Sequence, residues 1–130
     1  MQIIHQDIFG NLAGVAVLFN LSVNENIFLK QLGFGVDNPL YAMRLRNSET
    51  VELKPSEHLN LGKYLNQISH YVHYVGSITS PPCNDNVQWF VLLEKLGVTQ
   101  RQLDYFPVLF GMESNVRGLQ VNKDRLQEII

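Results

Sequence analysis

Short apolar runs separated by turn residues set the pattern of this chain. Gln2 to His5 predicts a short strand. Gly14 to Leu21 is a continuous β-rich run, which predicts a strand buried on both faces. Ser69 to Tyr74 alternates with aromatic and β-branched residues, and Val87 to Leu93 does so around Trp89; both read as strands. Val51-Glu52-Leu53 alternates as an edge strand would. Helices are few and short. Asn24 is placed to cap Glu25 to Leu32, with Gly33 as the stop. Thr99 caps a helix through Tyr105, and Thr99-x-x-Gln102 fits a capping box. Pro55-Ser56 opens a helical or turn segment in which Leu59, Leu61 and Leu65 supply the apolar contacts. Residues 33 to 50 are mostly loop, with room for a helical turn at Tyr41 to Arg46. Asn115 to Gln120 is irregular, and Lys123 to Ile130 suits a helix as well as a short strand. Strands outnumber helices, so the expected class is α+β, mainly β.

Composition narrows the picture. The 130 residues are 45% hydrophobic and 17% charged, with a net charge of −2. That length fits one domain able to bury a core without metal or disulfide staples. Charge is low against the ~25% of typical globular chains, which leaves room for apolar surface that a partner covers. No basic cluster is present, which argues against a nucleic-acid surface. The chain opens with neither the basic start nor the apolar run of a signal peptide. Its longest apolar stretch, Val15 to Phe19 with Leu12 and Ala13 before it, is far short of the ~20 residues of a membrane span. Cys83 is the single cysteine. It cannot pair within the chain and reads as a buried structural thiol.

Candidate chemistry is sparse. His70 and His73 are three apart on an expected strand and so point to opposite faces. His58 sits in a polar, solvated segment. His5 lies in an apolar strand and suits a hydrogen-bonded core histidine better than a ligand. Cys83 lacks the C-x-x-C or C-x-x-H spacing of a zinc site. The loop Gly76 to Asn86 is the informative feature. Two prolines fix its backbone directly after Thr79 and Ser80. Such a loop can aim a hydroxyl acceptor, or it can be an ordinary stiff turn between two strands.

The run Tyr74-Val75-Gly76-Ser77-Ile78-Thr79-Ser80-Pro81-Pro82-Cys83-Asn84-Asp85-Asn86-Val87-Gln88-Trp89 resembles the signature of the α-class carbonic anhydrases, Tyr-x-Gly-Ser-Leu-Thr-Thr-Pro-Pro-Cys, an acidic residue, then Val-x-Trp. Leu12 to Leu21 resembles that family's Leu-Ala-Val-Leu core strand. Gln102-Leu103-x-x-Phe106 resembles its following helix, and Asn115-x-Arg117-x-x-Gln120 with Arg125 resembles its ending. The resemblance covers essentially the whole chain. It implies the C-terminal part of a larger domain, with a large central twisted β-sheet and short peripheral helices, in which 1–130 is a partial domain. The family hydrates CO2 to bicarbonate with a zinc ion held by three histidines, whose bound water is acidified from 15.7 to ~7. By resemblance Thr79 orients the zinc hydroxide and Ser80 is a nearby polar contact. Ile4, Val17, Ile78 and Trp89 fall at the apolar CO2 pocket.

The departures are informative. The family takes two zinc ligands from a His-x-His strand and the third from a following strand that reads acidic-x-His-x-x-His. Here His5 matches the second, non-ligand histidine of that strand, and Gln2 falls on the ligand position. The His-x-His strand, the glutamate that accepts the threonine's hydrogen bond and the proton-shuttle histidine have no counterpart in this chain. Glutamine at this position resembles carbonic anhydrase-related, non-catalytic members. No metal is therefore expected in this chain, and zinc only if missing ligands complete the site. In secreted members the signature cysteine pairs with one in the N-terminal part, so a secreted or extracellular setting is compatible with the resemblance. Three readings follow: an inactive binding or structural module; a fragment of an active zinc-dependent carbonate dehydratase completed by an N-terminal half or a second chain; and a truncated product that folds poorly alone. In each, a protein partner or the missing half would cover an exposed core edge.

Overall fold

The computed structural model describes residues 1–35, 59–65, 69–111, 115–120 and 127–129. In chain order its elements are β1 (Gln2–Gln6), β2 (Leu12–Ala16), β3 (Phe19–Leu21), α1 (Ile27–Gln31), α2 (Leu61–Leu65), β4 (Tyr71–Gly76), β5 (Val87–Leu92), β6 (Leu96–Val98), α3 (Gln100–Phe110) and β7 (Gln127–Ile129). Strands dominate and the helices are short, as the residue pattern predicts. His58, Arg125, Val51 to Leu53, Tyr41 to Arg46 and Pro55-Ser56 lie outside the described residues. The chain divides into two compact units: Met1–Leu18 with Gln67–Lys95 and Val116–Ile130, and Phe19–Asn66 with Leu96–Asn115.

The first unit is built on a mixed five-stranded sheet in the order β1-β2-β5-β4-β7. β1 and β2 are antiparallel, with Gln2 opposite Ala16 and Ile4 opposite Gly14. β2 and β5 are parallel, placing Gly14 opposite Trp89. β4 and β5 are antiparallel, with Tyr74 opposite Trp89 and Gly76 opposite Val87. Directly opposed residues share a face, so Ile4, Gly14, Trp89 and Tyr74 stand in one row across four strands. Val87, Trp89 and Val17 are almost wholly buried. β7, at the far edge, makes Gln127–Ile129 of the ambiguous tail a strand.

The second unit pairs β3 with β6 in parallel and carries the three helices. The run Gly14 to Leu21 is thus not one strand. The chain leaves the five-stranded sheet after Ala16 and pairs with β6 from Phe19 onward. Nor is it buried on both faces, because Asn20 and Leu21 are exposed. β6 carries too short an apolar run to announce itself.

Helix caps explain the other boundaries. The cap of α1 is Asn26, two residues later than Asn24. Its side-chain oxygen accepts from the Leu29 N–H at 3.0 Å and its amide donates to the Gly97 carbonyl at 2.8 Å. Thr99 and Gln102 form the expected capping box on α3. Gln102, fully buried, also accepts from the Asn26 N–H at 2.8 Å and donates to the Asn26 carbonyl at 2.9 Å. One amide therefore helps to close two helix starts, satisfying donors that would otherwise be orphaned. α3 continues past Tyr105 to Phe110, through Pro107. The buried stripe Gln102, Tyr105 and Leu109 has helical spacing, so packing overrides the proline's lost donor.

Candidate functional site

The loop between β4 and β5 is pinned along its length. The Ile78 N–H donates to the Asn84 carbonyl at 2.9 Å, and the Cys83 N–H to the Ser80 carbonyl at 2.8 Å. The Pro81–Pro82 peptide within that inner turn is cis, and Cys83 and Asn86 take left-handed backbone angles of φ 60° and 63°. The Trp89 indole N–H donates to the Ser77 carbonyl at 3.0 Å. Arg117 donates through one guanidinium nitrogen to the Ser77 hydroxyl at 2.7 Å and the Ile78 carbonyl at 2.9 Å. Both residues before Thr79 are thereby fixed from two sides.

This fixes where Thr79 points. Its hydroxyl donates to Gln2 Oε1 at 3.0 Å, across 77 residues of sequence. Gln2, Ile4 and Gln6 share one face of β1 by strand alternation. Thr79 and Ser80 are both exposed. Beneath them Trp89, 2% exposed, lies against two glycines. A Cβ at Gly14 would come within 2.6 Å of the indole, and one at Gly76 within 2.9 Å. Val17 is 1% exposed, and its N–H donates to the Met1 carbonyl at 2.8 Å. Ile78 is half-buried, whereas Ile4 is 44% exposed.

The structure thus joins Thr79 to Gln2 and sets Ile4 in register with Trp89 through Gly14. It does not gather the histidines. His5 is three residues from Gln2 on β1 and so faces the other side of the strand. His70 lies just before β4, with Nδ1 3.0 Å from Glu94 Oε1. His73 lies on β4 with Nε2 2.8 Å from Gln88 Oε1 and its ring stacked on Phe90. Cys83 is half-buried and free.

Zinc needs anionic sulfur or oxygen, or neutral imidazole, arranged tetrahedrally. Among the described residues no three of His, Cys, Asp and Glu come together to hold a metal. Gln2 offers only a neutral amide oxygen, a weak donor for zinc, and that oxygen already accepts from Thr79. The donor set of the described residues does not fit a zinc ion.

Three contributors to the site carry only faint sequence signals. An isolated glycine in a strand marks close approach of another group, which fits Gly14 and Gly76 but does not name Trp89 as the neighbour. Arg117 lies in an irregular stretch, and nothing in its spacing connects it to Ser77.

Comparison with known proteins bears on this arrangement. The family described as eukaryotic-type carbonic anhydrase matches residues 5–128. The chain is 31% identical over 118 residues to the receptor-type tyrosine-protein phosphatase zeta of Homo sapiens, covering 91% of this chain and 5% of that protein. It is 36% identical over 93 residues to carbonic anhydrase 6 of Mus musculus, covering 71% of this chain and 27% of that protein. The α-carbonic anhydrase structure from Photobacterium profundum superposes with a TM-score of 0.78 at 32% identity, over 97% of this chain and 52% of that one. The chain spans about half the length of that structure and a smaller share of both curated relatives.

Proposed function

The chain belongs to the eukaryotic-type, α-class carbonic anhydrase family, and from that premise we propose that it serves a domain that does not hydrate CO2 and acts as a binding or structural module. One observation carries this reading: the Thr79 hydroxyl donates to Gln2 at 3.0 Å. In the family resemblance Thr79 accepts from a zinc-bound hydroxide and residue 2 is a ligand. Here Gln2 Oε1 takes the hydrogen bond that the Thr79 hydroxyl by resemblance gives to a glutamate, so the oxygen at the ligand position is already engaged. Without the ion, water keeps its pKa of 15.7 and supplies almost no hydroxide at neutral pH, whereas a zinc site brings that value to ~7. The pinned loop and buried Trp89 remain useful to a module, because they hold a rigid surface.

The test is zinc content and CO2 hydration by the purified protein. The expected result is no stoichiometric zinc and a hydration rate at the buffer background; stoichiometric zinc with turnover overturns the reading. Within a domain completed by the family's His-x-His strand, Gln2→His is expected to bring zinc uptake. Continued failure to bind would mean that the ligand type at residue 2 is not what blocks the site.

A second reading has its own support. Arg117 and Trp89 fasten Ser77 and Ile78, the two residues before Thr79, a rigidity that an active site completed by another segment or a second chain would use. Copurification of a polypeptide carrying a His-x-His strand, with zinc, would favour it.

A further inference from the structure

The second unit holds a modification motif that the site above does not use. Asn20-Leu21-Ser22 is the one Asn-x-Ser/Thr tripeptide with a non-proline centre in the 130 residues. We propose that Asn20 is an acceptor for an N-linked glycan.

Three observations support the assignment. Asn20 sits in β3 and is exposed, and its side-chain amide makes no hydrogen bond to the described residues, so its nitrogen is available. The residue registered with it across the strand pair is Gly97. No side chain of β6 therefore stands directly opposite Asn20. Finally, Ser22 holds the recognition hydroxyl two residues on. Its oxygen accepts from the Asn24 N–H at 3.1 Å.

The co-substrate is an oligosaccharide carried on a polyisoprenyl diphosphate, and the catalyst is the oligosaccharide transferase of the secretory pathway. Asn20 Nδ2 attacks the anomeric carbon of the first sugar. The N–C bond forms, the C–O bond to the diphosphate breaks, and the lipid diphosphate leaves with the electron pair. Nδ2 gives up one proton, and nothing is oxidised or reduced.

The experiment directs the full chain into the secretory pathway of a eukaryotic cell with a cleavable leader and reads whole-cell extract, so that the result does not depend on folding. Peptide N-glycosidase in 18O-labelled water is expected to speed migration of the chain and to leave a labelled aspartate in place of Asn20. Asn20→Gln and Ser22→Ala are expected to abolish the shift, while Ser22→Thr keeps it. An unshifted wild-type chain, or a shift that survives Asn20→Gln, overturns the proposal.

Discussion

Gly14 has a neighbour that tolerates no side chain. The face of Trp89 occupies the space where a Cβ would stand, 2.6 Å from three ring atoms' nearest member. Both residues lie on paired strands whose backbones are held by ladder bonds, so neither can withdraw cheaply. Gly14→Ala is expected to destabilise the fold by about 1–3 kcal/mol, the usual cost of overpacking a filled core. Denaturant unfolding followed by tryptophan emission measures it; an unchanged midpoint would show that the strands give way freely. The types of both residues were readable from the chain, and so was the stiffness of the loop holding Thr79. Their meeting was not. Gly14 and Trp89 come together through a parallel pairing, and Thr79 reaches Gln2 across 77 positions. Local pattern fixes what a residue can do, while long-range register decides whom it touches.

The β4–β5 pair is closed at both ends. At one end stands the Thr79 loop. At the other, Glu94 Oε1 accepts from the Ser69 N–H and hydroxyl and from His70 Nδ1. The His70 hydrogen bond, reinforced by backbone N–H groups, holds the Glu94 carboxyl at about 2, down from 4.5. Folding lowers this pKa, so the bond's contribution to stability is complete above about 4.5 and declines as pH falls from there towards about 2. A carboxyl NMR titration should find Glu94 still ionised well below the ordinary range. His70→Ala should return it towards 4.5; an unmoved midpoint would assign the shift elsewhere. Elements of this kind were the most legible part of the chain. Strand β5 and the Thr99 cap follow from alternation and capping chemistry, and β4 forms two residues later than the expected Ser69 to Tyr74. The boundaries of β2, α1 and α3 did not, because a change of sheet partner, a distant glutamine and a buried stripe set them.

Across the whole molecule, the informative fact is an unbalanced surface. In the five-stranded sheet β1 pairs on one side only, among the described residues. The turn beyond it presents Ile8 at 92% and Phe9 at 83% exposure. That turn is well ordered chemically: the Asp7 carboxylate accepts from the Phe9 and Asn11 N–H groups and from the Asn11 amide. An open strand edge next to apolar side chains invites edge-to-edge pairing. The chain expressed alone is therefore expected to self-associate as its concentration rises, and Ile4→Lys on β1 should oppose this. Sedimentation velocity distinguishes the outcomes; a monomer throughout the micromolar range, with or without the substitution, would mean that the edge is already protected. The low charge of the sequence hinted at such a surface, but only the sheet order locates it.

Trp89 is the chain's single tryptophan, and its indole N–H is bonded to the carbonyl of Ser77, two residues before Thr79. The same ring that fills the core is thus wired to the segment that reaches Gln2. The protein carries its own optical gauge: a partner that pulls on that loop must disturb the indole's hydrogen bond, and the light it emits will register the event without any added label.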